Sequence, residues 1–249
     1  MNQATTREGL EHSLNMAHNS TVRSFDIGLG LEGSHVLITG GCGLIGKVVV
    51  QAFLAAGSRV TAIDLNNSSP FGNNESNLLY QRADITDADQ MDKAFSNAEE
   101  KFGPIETCVA LASLDLSVLE PSESLADMDP KTWQRVFDVN INGTFMTCQR
   151  WLRSIRRAAS DPSKKLRNAS LVIMGSESGR FGVRTMAAYA AGKSAVQYGL
   201  LYSLAQDAPR LYRKARVNAI APGAVDTERF KEETQKYGQE WYWRECEAT

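Results

Sequence analysis

Thr39-Gly40-Gly41-Cys42-Gly43-Leu44-Ile45-Gly46 is the stretch that decides the fold. It closes a short apolar run, His35-Val36-Leu37-Ile38-Thr39, and leads into a helical pattern from Val48 to Ala56 that stops at Gly57. An apolar run halted by glycines reads as a buried strand, and the pattern after it as a helix with one buried face. Glycines at 40, 43 and 46 let the backbone turn tightly, approach a pyrophosphate, and pack helix on strand. The helix start then offers free N–H groups and a positive dipole end to that anion. A glycine trio alone is equally an ordinary turn; the strand before it and the helix after it give it meaning.

The same alternation continues outward. Arg59–Ile63 reads as a second strand, Tyr80–Ala83 as a third, Glu106–Leu111 as a fourth, Leu171–Met174 as a fifth and Arg216–Ile220 as a sixth. Between them, helices are predicted over Asp87–Phe102 (ended by Gly103-Pro104), Pro130–Arg157, and Ala187–Ala208 (ended by Pro209). Strands apolar on both faces, alternating with helices, predict an α/β fold: a doubly wound, Rossmann-like parallel sheet covered on two sides. Ligands of such a sheet sit at the carboxyl ends of its strands. Residues 1–30 are polar and lack periodicity, so they read as a flexible N-terminal arm; 31–249 read as a single dinucleotide-binding and catalytic domain.

Composition narrows the function. The chain has 249 residues, 27 Lys+Arg against 29 Asp+Glu, and 43% hydrophobic side chains. Ordinary apolar content excludes a disordered chain, and near-neutral charge disfavours nucleic acid as a partner. No apolar run approaches the length of a membrane span, and the first thirty residues lack the apolar core of a signal peptide. Cys42, Cys108, Cys148 and Cys246 show no paired spacing, which suits a reduced, cytoplasmic enzyme. The histidines are His12, His18 and His35, with no carboxylate or cysteine cluster beside them, so no metal is expected. Acid–base chemistry in the body of the chain therefore falls to something other than imidazole.

Asp64 ends the second strand, eighteen residues after Gly46, with Leu65 beside it. At that register a carboxylate accepts hydrogen bonds from the adenosine ribose and repels a 2′-phosphate, which favours NAD(H) over NADP(H). Arg59 and Arg82 are the nearby bases that could oppose this preference. In the second half, Tyr189-Ala190-Ala191-Gly192-Lys193 puts a phenol and an ammonium four residues apart on one helix face. A free tyrosine titrates near pH 10; an adjacent cation favours phenolate, and the positive nicotinamide ring of an oxidised cofactor can add to that. Ser176 lies thirteen residues upstream in Gly175-Ser176-Glu177-Ser178-Gly179, just past a strand end, so it can meet Tyr189 at one carbonyl oxygen. Asn140, in Asp138-Val139-Asn140-Ile141-Asn142-Gly143, lies inside the long helix; its plainer reading is a surface or back-bonded amide.

Together these residues resemble the short-chain dehydrogenase/reductase family, over about Gly33 to Phe230. The resemblance implies a catalytic tetrad of Ser176, Tyr189, Lys193 and Asn140. Tyr189 would be the acid in reduction and the base in oxidation, with Ser176 bonded to the substrate oxygen. Lys193 would hold the nicotinamide ribose, and Asn140 a water linking Lys193 to solvent. By the same likeness the cofactor meets Gly40, Gly43, Leu44, Ile45, Gly46, Asp64, Leu65, Ala110 and Ala112. Asp84-Ile85 matches the adenine contact, and Pro222, Val225 and Thr227 belong to the loop that grips the carboxamide. The implied reaction is hydride transfer between NAD(H) and a carbonyl or secondary alcohol.

Three positions depart from the family pattern. Leu44 stands where the shorter branch has its middle glycine, so the glycine spacing is that of the extended branch. Ala110-Leu111-Ala112-Ser113 replaces Asn-Asn-Ala-Gly, which predicts a lost strand-bracing hydrogen bond. Only twenty-two residues follow Thr227, so the usual seventh strand is expected to be absent; Lys231–Cys246 reads as part of a lid helix whose Trp241, Tyr242 and Trp243 ask to be covered. An open sheet edge then predicts low solubility or partner dependence. Glu177, Ser178, Phe181, Val183, Met186 and Leu114–Leu119 form a candidate substrate wall, with Arg184 as a polar contact. Helices 130–157 and 187–208 are the expected homo-oligomer surface, by the same resemblance. The basic stretch from Arg150 to Arg167 reads as a solvated helix end, and Cys42, at a helix start, as a thiol of lowered pKa. Two other readings remain: a catalytically silent dinucleotide-binding regulatory or scaffold protein, favoured by the short tail, and an epimerase-like enzyme, favoured by the glycine spacing alone.

Overall fold

The computed structural model describes residues 29–71, 76–119 and 124–240. Its strands are β1 (His35–Thr39), β2 (Arg59–Asp64), β3 (Leu78–Arg82), β4 (Thr107–Ala110), β5 (Ser170–Met174) and β6 (Arg216–Ile220). They pair in parallel in the order β3-β2-β1-β4-β5-β6. This is the doubly wound sheet expected from the sequence. Its order reverses between β1 and β4, where Thr39 lies in register with Ala110; ligands of such sheets bind at this switch point, by the strands' carboxyl ends.

Eight α-helical segments are described: α1 (Leu44–Ala55), α2 (Ala88–Phe102), α3 (Pro130–Phe137), α4 (Thr144–Ala159), α5 (Ser178–Phe181), α6 (Ala187–Ser194), α7 (Leu201–Leu211) and α8 (Glu228–Tyr237). Side chains alternate across a strand, so each strand feeds both layers. Val36, Ile38, Val60, Ala62 and Val109 pack with Val50 of α1 on one side. Leu37, Ile63, Leu171 and Ile173 pack on the other with Met91 and Phe95 of α2 and Trp151 and Ile155 of α4. Capping sets the helix ends. Asp87 accepts the Gln90 N–H at 3.0 Å while the Gln90 amide donates back to it at 2.7 Å, and α2 closes on Gly103 at φ 81°.

Several expectations need correction. The predicted helix over Pro130–Arg157 is α3 and α4 joined by a π-helical turn at Asp138–Gly143. The one over Ala187–Ala208 is α6 and α7 joined by a second such turn at Ala195–Leu200, and it runs through Pro209 to Leu211 rather than ending there. With little helix left beyond Pro209, few backbone bonds are at stake. The sixth strand is not apolar on both faces: Arg216, Asn218 and Ile220 are exposed in alternation, and among the described residues β6 pairs only with β5. Arg150 does not belong to a solvated basic face. It is buried, forming an ion pair with Asp92 at 2.9 Å and donating to the Ala88 carbonyl at 3.0 Å. The lid helix starts earlier than expected, at Glu228, and α8 closes on Gly238 at φ 88°. The N-terminal arm up to residue 28, Trp241, Tyr242, Trp243 and Cys246 lie outside the described residues. Among the described residues no helix is long and apolar enough to cross a membrane.

Candidate active site

The glycine turn works by backbone proximity. Gly40 has φ 72°, and a Cβ there would lie 2.8 Å from the Cα of Ala112; a Cβ on Gly46 would lie 2.0 Å from the Gly40 carbonyl oxygen. Both positions thus demand glycine, one through conformation and one through close approach. Leu44 opens α1 and is more than half exposed, so its side chain points out of the turn, while Ile45 packs on the sheet. Asp64 ends β2 beside this turn. One of its carboxylate oxygens accepts the Cys42 N–H at 2.8 Å and the other the Asn66 N–H at 3.1 Å. Each oxygen keeps a lone pair for a further donor. Burial first, then the Asp64 charge, raises the Cys42 thiol pKa, which corrects the expectation of a thiol activated by the helix start. Asp84 spends its carboxylate on its own turn, accepting from the Thr86 N–H and hydroxyl at 2.8 Å each. Ile85 is buried against Gly143, where a Cβ would meet it at 2.5 Å.

The loop after β4 joins this turn to the second half of the chain. Leu111 and Ala112 donate their N–H groups to the Thr39 hydroxyl at 3.2 and 3.3 Å. Leu114 is held twice by Asn140, whose Oδ1 accepts its N–H at 2.7 Å and whose Nδ2 donates to its carbonyl at 2.9 Å. The bracing that Ala110-Leu111-Ala112-Ser113 was expected to lose is supplied by Thr39 and Asn140 instead. Asn140 is buried in the π-helical turn, neither surface-facing nor back-bonded to its own helix. Such turns arise where a helix bulges to present a residue sideways.

Ser176 follows β5 at the carboxyl edge of the sheet. Its N–H donates to Gln197 Oε1 at 2.8 Å, and its hydroxyl accepts the Ser178 N–H at 3.2 Å and bears on the Tyr189 phenol. Lys193 is 2% exposed; its Nζ lies 5.6 Å from the Tyr189 ring centroid and donates to the Met174 carbonyl at 2.9 Å and to Ser113 Oγ at 3.1 Å. Burial pulls the Lys193 ammonium down to about 8, partly offset by the Asp115 carboxylate. Burial pushes the Tyr189 phenol above its ordinary value; the Ser176 hydrogen bond opposes this, and the charges of Asp115 and Glu177 add to it. In the chain by itself, then, Tyr189 is not acidified, contrary to the expectation from its lysine neighbour. The cation lies over the ring with two N–H groups directed elsewhere. Around the phenol, Leu114, Leu116, Leu119 and Met186 form an apolar wall with Ala188 and Val136; Phe181 is largely exposed. The loop after β6 flanks Ser176, since Pro222 accepts the Glu177 N–H at 3.0 Å; Val225 is exposed, and Thr227 caps α8 by accepting the Phe230 N–H at 3.2 Å.

Glycine turn, strand-end carboxylate and Ser176 thus all stand at the carboxyl ends of the parallel strands, with Tyr189 and Lys193 packed beside Ser176. A family model described as short chain dehydrogenase matches residues 34–238. The chain belongs to that family. As a short chain dehydrogenase it is an oxidoreductase of a class that binds a nicotinamide dinucleotide. It is 31% identical over 193 residues to the 3-oxoacyl-[acyl-carrier-protein] reductase MabA of Mycobacterium tuberculosis, covering 78% of this chain and 70% of that protein. It is 33% identical over 215 residues to sorbose reductase sou1 of Schizosaccharomyces pombe, covering 80% and 75%. The crystal structure of a 3-ketoacyl-(acyl-carrier-protein) reductase from Brucella melitensis complexed with NADH shares the fold, with TM-score 0.67, 22% identity, and 77% and 76% of the two chains covered. Two residues of this site escaped the sequence reading. Gln197 repeats the four-residue spacing of Tyr189 and Lys193, a signal that was available; Ser113 carried none.

Proposed function

We propose that this short chain dehydrogenase is an NAD(H)-dependent carbonyl reductase or alcohol dehydrogenase. Its catalytic residues are Ser176, Tyr189 and Lys193, with Asn140 as the brace of the site. The observation that carries this reading is the buried Lys193 ammonium over the Tyr189 ring, 5.6 Å from its centroid and beside an apolar wall, with the Ser176 hydroxyl bearing on the phenol. A carbonyl oxygen placed between the two hydroxyls accepts from both. Tyr189 then delivers the proton as general acid and Ser176 stays bonded to the oxygen. A phenol whose burial holds its proton suits reduction; oxidation of an alcohol needs that proton removed and therefore gains from higher pH. When bound, the nicotinamide supplies or accepts the hydride.

Gly40, Gly43, Leu44, Ile45 and Gly46 offer the pyrophosphate a close backbone approach, and Asp64 with Leu65 meets the adenosine ribose. Ala110 and Ala112 line the crevice opposite the turn, Asp84 and Ile85 flank the adenine, and Pro222, Val225 and Thr227 border the carboxamide. The preference for NAD(H) over NADP(H) rests on the Asp64 charge and on where the two candidate bases lie, Arg59 being remote from it. Arg59 donates to the Gly33 carbonyl at 2.6 Å, at the far end of β2, and Arg82 donates to the Leu65 carbonyl at 3.2 Å. The apolar wall suits a carbonyl on a ring or chain. The three described cysteines are unpaired thiols, which fits a cytoplasmic enzyme. Exposed Phe145 and Tyr202, on the long helices, fit a homo-oligomer surface.

NADH oxidation against a panel of ketones and quinones tests the reading, with Tyr189→Phe as control. Turnover that falls about 10²–10⁴-fold in the variant, with NADH affinity kept, is the expected result. Unchanged activity in Tyr189→Phe ends the acid–base assignment. NADH binding with no turnover of any compound would favour the silent scaffold.

A further inference from the structure

We propose that Ser113 is a positioning residue for Lys193, holding its ammonium aimed and charged through the hydroxyl that this chain carries at the end of the loop after β4. The proposal rests on the reading of Tyr189 and Lys193 given above and adds a residue to it. Lys193 is nearly fully buried, and an ammonium removed from water keeps its charge only by donating to nearby acceptors. Its described acceptors are the Met174 carbonyl at 2.9 Å and Ser113 Oγ at 3.1 Å. Two donated bonds leave the third N–H for a bound ribose.

Ser113 is well placed for this role because its backbone is pinned on both sides. Ala112 donates to the Thr39 hydroxyl at 3.3 Å, and Leu114 is clasped by both ends of the Asn140 amide at 2.7 and 2.9 Å. One loop therefore links the end of β1, the π-helical turn and the buried lysine. A hydroxyl held this rigidly orients the ammonium with little loss of side-chain entropy, since serine has one rotor to fix. The hydroxyl also has a proton of its own to donate, so it can accept from Lys193 without being left unsatisfied. The charged groups bearing on the pair are Asp115, which favours the ammonium and disfavours phenolate, and Glu177, which disfavours phenolate.

A neutral acceptor for a charged donor contributes about 1.5 kcal/mol or more, which corresponds to about tenfold in the protonation equilibrium of Lys193. The experiment titrates the Lys193 side chain by carbon-detected NMR of its ε-methylene in the full chain, assigned with Lys193→Arg, beside pH profiles of kcat. In Ser113→Ala the titration midpoint is expected to fall by about one pH unit. The kcat of NADH-dependent reduction is expected to fall about fivefold at pH 8, while the KM of the carbonyl substrate stays within twofold. Ser113→Thr, which restores a hydroxyl, returns both towards the parent. An unchanged midpoint in Ser113→Ala, with the fold intact by circular dichroism, overturns the proposal. So does a loss of kcat that Ser113→Thr fails to recover. The NMR titration needs no turnover, and Tyr189→Phe tests the catalytic reading separately, so the two can fail independently.

Discussion

The two halves of the sheet's carboxyl edge are built by different means. On the β1–β3 side, the dinucleotide turn is a backbone object: glycines that cannot bear a Cβ, a helix start, and one carboxylate held by two N–H groups. On the β4–β6 side, the Ser176–Tyr189–Lys193 cluster is a side-chain object. Thr39, Asn140, Gln197 and Ser113 reach across from four different segments to fix Leu111–Leu114, Ser176 and Lys193. The first kind of site is signalled by a local glycine pattern, with Ala112 and Asp64 closing on it from elsewhere in the chain. The second exists only after the helices have packed. Substitutions should therefore fail differently in the two places: in the glycine turn through clash and lost binding, in the cluster through chemistry with binding preserved.

The sharpest way to break this contrast is Gly46→Ala. Its Cβ would meet the Gly40 carbonyl oxygen at 2.0 Å, so backbone must move. A destabilisation of about 3 kcal/mol or more is expected in urea unfolding, with NADH binding lost in fluorescence titration. If binding survives, the turn is not the anion cradle described here.

His35, which opens the strand leading into the glycine turn, gives an intermediate effect. Its Nδ1 faces the Gly103 carbonyl at 2.9 Å, so Nδ1 carries the proton and Nε2 accepts from the Thr61 hydroxyl at 3.0 Å. Burial first among its causes lowers this imidazole to about 4. The folded state thus resists protonation. The stabilising contribution is fully present above about pH 6.5 and is lost as pH falls from there towards 4, by about 2–3 kcal/mol. Urea midpoints at pH 7.5 and 4.5 read the loss, and His35→Gln should flatten it. A wild-type stability that does not change across that window would refute the assignment.

The smallest of these effects sharpens the binding side. Asp64→Asn keeps the shape but removes the charge and some acceptor capacity. NADH affinity is expected to fall about tenfold and the discrimination against NADPH to narrow, as read by direct titration of both cofactors. Tighter NADPH than NADH binding in the parent chain would show that Arg82, not Asp64, governs the choice.

Much of this was legible beforehand. The six strands and their parallel, doubly wound arrangement follow from short apolar runs alternating with helices, although β6 turned out exposed along one face. The Tyr189–Lys193 face is legible too, since four-residue spacing is a property of any helix. The π-helical turns at Asp138–Gly143 and Ala195–Leu200 were not legible: they come from packing that forces an extra residue into the helix. Nor was the state of Tyr189. Adjacency to a lysine predicted an acidic phenol, whereas burial of the ring and the charges of Asp115 and Glu177 outweigh a cation lying over its face.

By its own order of residues the chain determined the alternating strands and helices, the positive-φ glycine at the turn and the strand-end position of Asp64, since each leaves a local pattern of residue types. Only tertiary structure decided that Asn140 clasps Leu114, that Thr39 braces the loop after β4, and that Ser113 meets Lys193. Those contacts join residues from 26 to 80 positions apart. No local pattern can encode them, because the cost of burying an amide or an ammonium is met by whichever polar group the packed fold brings within reach.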